Sequence, residues 1–129
     1  MDSGAIRRWV ALGTTVLIAS GLFALAAPGT AQAASDFCAG RRVKTLSFSA
    51  GAVSVYRNDG YVCAITYPNN PGPRQSMSVT VQARGSRPVT DQGRFSWHAG
   101  PVTVHAGHRC VRVSGSVGNK SVNSGWILC

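Results

Sequence analysis

Apolar and polar residues alternate along most of the chain after residue 40, and this alternation is typical of half-buried β-strands. In the segment 52–57, Val53 and Val55 lie on one face, and Ser54 and Tyr56 lie on the other. No stretch of ten residues has the 3.6-residue period of an amphipathic helix. The pattern therefore predicts an all-β protein with strands at 42–49, 52–57, 61–67, 76–84, 93–98, 102–105, 110–113 and 121–128.

Turn-forming residues separate these strands. Asn58-Asp59-Gly60 is a hairpin signal, since Asp-Gly supplies the positive φ angles of a tight turn. The segments 68–73 and 85–92 are predicted to be loops. Seven or eight short strands of this kind predict a small antiparallel sandwich or barrel. The predicted core side chains are Val43, Val53, Val55, Ile65, Val79, Val81, Phe95, Trp97, Val102, Val104, Val111, Val113, Val122 and Ile127.

The first 33 residues have the order of a signal peptide. Arg7 and Arg8 precede an apolar run over 9–27, and Ala31-Gln32-Ala33 supplies the small residues of a cleavage site. We expect a helical signal peptide over 1–33 and a single secreted β domain over 34–129. The alternative is an uncleaved membrane anchor, because the run approaches spanning length. Its Gly, Ser and Thr residues weaken that alternative, so we expect no transmembrane anchor after cleavage.

Four cysteines lie in the predicted secreted domain, and an even number behind an export signal indicates disulfide bonds. Cys110 and Cys129 lie ten and nine residues from residue 120, where the last hairpin is predicted to turn, so an antiparallel pair would bring them together. Among the three pairings that four cysteines allow, this favours Cys110–Cys129 and leaves Cys38–Cys63. A zinc site is the alternative, but C-x₂-C spacing is absent, and we expect no metal ion and no cofactor.

The predicted secreted domain is strongly basic. It keeps 11 of the 13 Lys and Arg residues and three aspartates, without any glutamate, which gives a net charge of +8. Such a charge favours contact with polyanions, whereas the alternative is that it only keeps a secreted protein soluble. The basic residues are scattered, and the only dense patch is Arg41-Arg42-x-Lys44.

Three tyrosines lie on or beside the hairpin predicted around residue 60. Aromatic and Arg side chains together suit stacking on sugars or bases, whereas the alternative is that the rings fill a small core. The candidate binding surface consists of these basic and aromatic residues: Arg41, Arg42, Lys44, Arg57, Tyr56, Tyr61 and Tyr67.

Candidate catalytic chemistry is sparse. Two or three histidines, His98, His105 and His108, could bind Zn²⁺ or Cu²⁺ or act as general bases. A G-x-S-x-G elbow is absent, and a two-carboxylate glycosidase would have to use two of the aspartates at 36, 59 and 91. We therefore expect no enzymatic activity.

A small secreted effector is the alternative, either a hydrolase such as a ribonuclease or an inhibitor of a hydrolase or protease. Many small basic ribonucleases use a glutamate as general base, and this chain has none. A cleft that joins a histidine, Asp91 and an arginine would favour an enzyme, whereas a flat basic face would favour surface binding.

Several motifs in the last 70 residues resemble the spore-associated protein A family of small secreted proteins from streptomycetes and related actinobacteria. They are CAIT at 63–66, NNPG at 69–72, QGRF at 92–95, AGPVTVHAGHRCV at 99–111, GSVGN at 115–119 and the closing Cys129. The family usually has a Trp shortly after the third cysteine, where this chain has RVS at 112–114.

The resemblance implies a location rather than a reaction, since it brings no catalytic residues. We expect a secreted, spore- or cell-surface-associated protein whose partners are anionic cell-wall or spore-surface polymers, with no specific nucleic acid.

Overall fold

The structure, a computed structural model, describes residues 37–129. The predicted signal peptide, its cleavage site and Asp36 lie outside the described residues. Residues 37–129 contain eight strands and no helix, and therefore no helix that could cross a membrane. The strands are β1 (Arg41–Phe48), β2 (Gly51–Asn58), β3 (Tyr61–Pro68), β4 (Gln75–Ala83), β5 (Val89–Phe95), β6 (Ala99–His105), β7 (Val111–Val117) and β8 (Lys120–Ile127).

The eight strands form two four-stranded antiparallel sheets that pack face to face. β1, β2 and β3 follow one another as hairpins and β6 joins β3, so the first sheet has the order β1-β2-β3-β6. The second sheet has the order β5-β4-β7-β8. The predicted all-β fold is confirmed, and of the two predicted architectures the protein adopts the sandwich.

The core between the sheets consists of inward-facing aliphatic side chains. Val53 and Val55 of β2 are fully buried, whereas Ser54 and Tyr56 project to the other side, as predicted. The central strands of both sheets thus present one apolar row to the facing sheet. The buried core residues are Leu46, Val53, Val55, Val62, Ala64, Met77, Val79, Val81, Ala83, Ala99, Val102, Ala106, Val111, Val113 and Val117.

One close approach between the sheets depends on a glycine. Gly115 of β7 faces Thr66 and Val53 of the first sheet, and a methyl group on Gly115 would overlap the Thr66 hydroxyl. That hydroxyl belongs to a fully buried residue and donates a hydrogen bond to the Ser78 carbonyl oxygen of β4 (2.9 Å). Because a buried hydroxyl is costly without a partner, this bond stabilises Thr66 in the core and links the two sheets.

The prediction of a loop over 85–92 is wrong for residues 89–92, which belong to a strand. β5 begins at Val89, which lies opposite Val81 of β4, and Asp91 lies opposite Val79. β5 is an edge strand of mostly exposed residues, so its sequence lacks the apolar alternation that marks a half-buried strand. The loop between β4 and β5 therefore spans only residues 84–88.

Two predicted core residues have other environments. Trp97 is 65% exposed, because β5 ends at Phe95 and the alternation does not continue through the bend that follows. Ile65 is buried, but on the outer side of the first sheet, since Val62 and Ala64 are the residues of β3 that face the core. The predicted residues Val43, Phe95, Val104, Val122 and Ile127 are partly buried against the core.

Both disulfides have the predicted pairing, Cys38–Cys63 and Cys110–Cys129, and no cysteine of the described chain is free. The first bond is buried, whereas the second closes the ends of the β7–β8 hairpin near the surface. Two disulfides are compatible with an extracellular protein, since reducing compartments disfavour them.

Candidate functional site

The three predicted tyrosines lie on the outer side of the first sheet. Tyr56 lies opposite Cys63, and Ala52 lies opposite Tyr67, in the ladder between β2 and β3. Directly opposed residues of an antiparallel pair project to the same side, and Tyr61 shares that side because it lies two residues before Cys63. We call this surface the tyrosine face: Tyr56, Tyr61, Tyr67, Ile65 and the Cys38–Cys63 disulfide.

A small apolar cluster holds the tyrosine face in place. Cys38, Cys63 and Ile65 are buried there, and Tyr56 and Tyr67 pack against them. Burial raises the pKa of the Tyr67 phenol, and the neighbouring Tyr56 raises it further through charge repulsion. Two of the three rings therefore contribute to packing as well as to the surface.

Two rings that the sequence did not assign to the site extend the tyrosine face. The ring centroids of Phe37 and His98 are 4.5 Å apart, and those of His98 and Tyr67 are 6.1 Å apart. His98 Nδ1 donates a hydrogen bond to the Gly100 carbonyl oxygen (2.9 Å), which fixes the imidazole ring. The position of Phe37 beside Cys38 could have signalled its place, but nothing local in the sequence signals that of His98.

The predicted basic residues lie mainly on β1, at the edge of the first sheet. Arg42 lies opposite Tyr56 and so shares the side of the tyrosine face, while Arg41 lies opposite Arg57. A bulge follows Arg42, and beyond it Lys44 lies opposite a core valine rather than in line with the tyrosines. The structure thus brings Arg42 to the three tyrosines and leaves Lys44 apart from them.

Arg57, Asp59 and His108 line one cavity of about 460 Å³ at the β2–β3 turn. Arg57 Nη2 donates a hydrogen bond to the Gly107 carbonyl oxygen (3.1 Å), so this guanidinium holds the turn between β6 and β7. Asp59 has the positive φ (52°) of the predicted hairpin turn. Nearby, Tyr61 meets the His105 ring edge-on at 4.9 Å between centroids.

Asp91 binds the backbone rather than a histidine. Its Oδ2 accepts a hydrogen bond from the Gly100 amide (2.8 Å), which ties β5 to the start of β6. His98 donates a hydrogen bond to the carbonyl oxygen of the same glycine. Asp91 and His98 thus bind the amide and the carbonyl group of Gly100, respectively. Among residues 37–129, no group of three or more His, Cys, Asp or Glu side chains could hold a metal ion.

The outer side of the second sheet is polar and rich in hydroxyl groups. Two pairs of hydroxyls are hydrogen-bonded across neighbouring strands, Ser78 to Ser116 (2.6 Å) and Thr80 to Thr90 (2.8 Å). At one end, a groove of about 370 Å³ contains Arg94 among these polar residues. We call this surface the hydroxyl face; its residues are Ser76, Ser78, Thr80, Gln82, Arg84, Thr90, Gln92, Arg94, Arg112, Ser114, Ser116, Ser121, Asn123 and Trp126.

The other end of the hydroxyl face holds two arginines on one tryptophan ring. Arg112 lies directly opposite Trp126 in the β7–β8 ladder, and its guanidinium carbon is 4.3 Å from the ring centroid. The guanidinium carbon of Arg84 is 5.0 Å from the same centroid. No local pattern in the sequence predicts this cluster, because Arg84 and Trp126 lie far apart in the chain and meet only across β7.

No protein-family model matches this chain, and no curated protein or solved structure was found to match it. The resemblance of residues 61–129 to the spore-associated protein A family therefore stays a prediction, and the chain's own surface is the basis for inferring its function.

Proposed function

We propose that the protein is a non-enzymatic, secreted protein of the spore or cell surface that binds anionic wall or spore-coat polymers through basic and aromatic side chains. An imbalance of charge carries this proposal. The described residues contain eleven Lys and Arg side chains but only two carboxylate side chains, Asp59 and Asp91. Two carboxylates cannot neutralise eleven cations, so the surface attracts polyanions.

The cations differ in how far they are free to contact a polymer. Arg109 is committed to the fold, because it donates hydrogen bonds to the carbonyl oxygens of Ala106, His105 and Arg84 and to the Ser86 hydroxyl. Most of the others are exposed and have no such set of bonds. The exposed cations other than Arg109 are Arg41, Arg42, Lys44, Arg74, Arg84, Arg87, Arg94, Arg112 and Lys120.

The tyrosine face supplies the aromatic part of the proposed binding surface. Tyr61 and Phe37 are each about half exposed, at 50% and 48%, so their rings remain accessible beside the packed Tyr56 and Tyr67. Arg42 on the neighbouring strand shares this side of the sheet. A ring with a guanidinium nearby suits contact with a sugar that carries an acidic group.

Binding to isolated cell walls and spores at graded salt tests the proposal. We expect the purified protein to be retained at low ionic strength and released at about 0.5 M NaCl, because salt screens contacts between exposed charges. Walls from which the anionic polymers have been chemically stripped are the matched control and should not retain it. Equal retention by stripped walls, or retention through high salt, would contradict the proposal.

One observation favours the alternative of a small hydrolase, namely the cavity that Arg57, Asp59 and His108 share. Histidine and aspartate are side chains that serve as general acids and bases, and this cavity has one of each in its lining. Assays on RNA, peptidoglycan and peptide substrates, with H108Q and D59N as variants, test this alternative. Turnover that both variants abolish would replace the binding proposal, and absence of turnover would remove the alternative.

A further inference from the structure

We propose that the hydroxyl face is a second binding site, separate from the tyrosine face, and that it takes an extended acidic glycan. This inference rests on the proposed function, because it names the chemistry of one polymer and the place where it binds. Three features of the face support it: its rows of hydroxyls and amides, its paired arginines, and its lack of carboxylates.

The hydroxyl rows are arranged to bind a chain of sugar hydroxyls. A hydroxyl group has one donor and two acceptor positions. In each of the pairs Ser78–Ser116 and Thr80–Thr90, one hydroxyl donates to the other, so the accepting hydroxyl keeps its own O–H for a ligand. Gln82, Gln92 and Asn123 add amide groups on the same side. The face therefore offers both donors and acceptors at fixed positions.

The paired arginines supply the contact for acidic groups. Both guanidinium carbons lie within 5.0 Å of the Trp126 centroid, so the two charges are closer together than the roughly 10 Å over which 0.1 M salt screens them. The ring holds Arg84 and Arg112 in place and leaves their outer N–H groups without a carboxylate. A carboxylate or phosphate group would pair with such guanidinium groups through charge-assisted hydrogen bonds.

Cations lie at both ends of the hydroxyl face, which favours an extended chain over a small anion as the ligand. Arg94 lies at the opposite end from the arginine pair, in the groove of about 370 Å³. The outward residues of β4 run from Ser76 to Gln82, a length of about 20 Å at the rise of a β-strand. Neither carboxylate side chain of residues 37–129 lies on this face, since Asp59 is in the β2–β3 turn and Asp91 lies opposite Val79.

The same features disfavour a nucleic acid as the ligand of this face. Proteins that bind single strands stack successive bases on several aromatic rings. Trp126 is the one aromatic side chain of the hydroxyl face, and two guanidinium groups already contact its ring. Hydroxyls and amides, which suit sugar hydroxyls, make up most of the remaining face.

Titration with polygalacturonate, a linear chain of uronic acids, tests the inference by calorimetry and by the NMR signal of the Trp126 indole N–H. Neutral dextran of similar length and a single-stranded oligonucleotide are the comparison ligands. We expect polygalacturonate to shift the indole signal, the R84Q/R112Q variant to bind about tenfold more weakly, and W126A to bind severalfold more weakly. R74Q/R87Q removes the same charge from two loops that belong to neither face, and W97A removes an exposed tryptophan from outside the hydroxyl face.

Each outcome of this experiment decides something. A greater loss of affinity for polygalacturonate in R84Q/R112Q than in R74Q/R87Q, and in W126A than in W97A, would support the site. Equal losses of affinity within each pair of compared variants would overturn the second site and leave the proposed function intact. Absence of binding to polygalacturonate would overturn the inference, and failure to bind walls as well would also overturn the proposed function. Tighter binding of the oligonucleotide at the Trp126 signal would overturn the choice of a glycan.

Discussion

The tyrosine face and the hydroxyl face lie on the outer sides of the two sheets, and they differ in what covers them. On the first sheet, the Cys38–Cys63 bond ties the segment before β1 across Ile65, which creates a small second cluster of buried residues. On the second sheet, polar side chains bind one another, and the outer surface stays uncovered. One disulfide thus converts a sheet surface into a packed layer, whereas hydroxyl pairs leave a sheet surface open to ligands.

The largest expected effect is the loss of unfolding free energy when one of the two disulfides is removed. They close loops of similar length, with sequence separations of 25 and 19, so chain entropy alone gives each about 3 kcal/mol. The C38A/C63A variant also loses buried contacts with Ile65, and we expect it to lose about 4 kcal/mol in urea unfolding, against about 3 kcal/mol for C110A/C129A. The reverse order would show that the cover over the tyrosine face contributes little.

A smaller loss of stability is expected from a change between the two sheets, which should affect both faces. Gly115→Ala places a methyl group against Thr66 and Val53, so we expect a loss of about 2 kcal/mol in the free energy of unfolding. Ser114→Ala, on the outward side of the same strand, is the control and should change stability by less than about 0.5 kcal/mol. If Gly115→Ala disturbed the NMR signals of only one face, the sheets would not form one cooperative unit.

The hydrogen bond between the sheets gives a finer test. Thr66→Val keeps the shape of the side chain and removes the hydroxyl that binds the Ser78 carbonyl oxygen, so we expect a loss of about 1 kcal/mol. The exposed Thr103 of β6 provides the matched control in Thr103→Val. Equal stability of the two variants in urea unfolding would mean that Thr66 does not link the sheets.

The smallest effect concerns the tyrosine face alone. Burial raises the pKa of Tyr67, so its phenol binds a proton more tightly in the folded state than in the unfolded chain. The resulting stabilisation is complete below the ordinary tyrosine pKa and is lost as the pH rises through the raised value. In an ultraviolet titration of the protein, Tyr67→Phe should remove a component that ionises above the ordinary tyrosine pKa. Loss of a component at the ordinary pKa would contradict the described packing.

The sequence was most informative where neighbouring residues decide the structure. The alternation around Val53 and the turn at Asp59 are local, and both predictions are confirmed. The pairing of Cys110 with Cys129 followed from their near-symmetric distances to one turn. In each case a short segment contains all the information that is needed.

The errors and omissions arise where distant strands decide the structure. β5 is a strand because it pairs with β4, although its own residues are mostly polar. The burial of Ile65 on the outer side of its sheet depends on Cys38, which packs against it, and the arginine–tryptophan cluster depends on the contact of Arg84 and Arg112 with Trp126 across three strands. A pattern along one segment does not contain these partners.

The bulge and the cations of β1 have a consequence for self-assembly. Within the described sheets β2 is the only hydrogen-bonded neighbour of β1, so β1 presents an open edge to which a strand of another molecule could add. Arg41, Arg42 and Lys44 place three positive charges along that edge, and the bulge after Arg42 interrupts its regular ladder. Charged side chains and bulges disfavour edge-to-edge strand pairing, so the densest basic patch of the described chain opposes the addition of another molecule's strand at this edge.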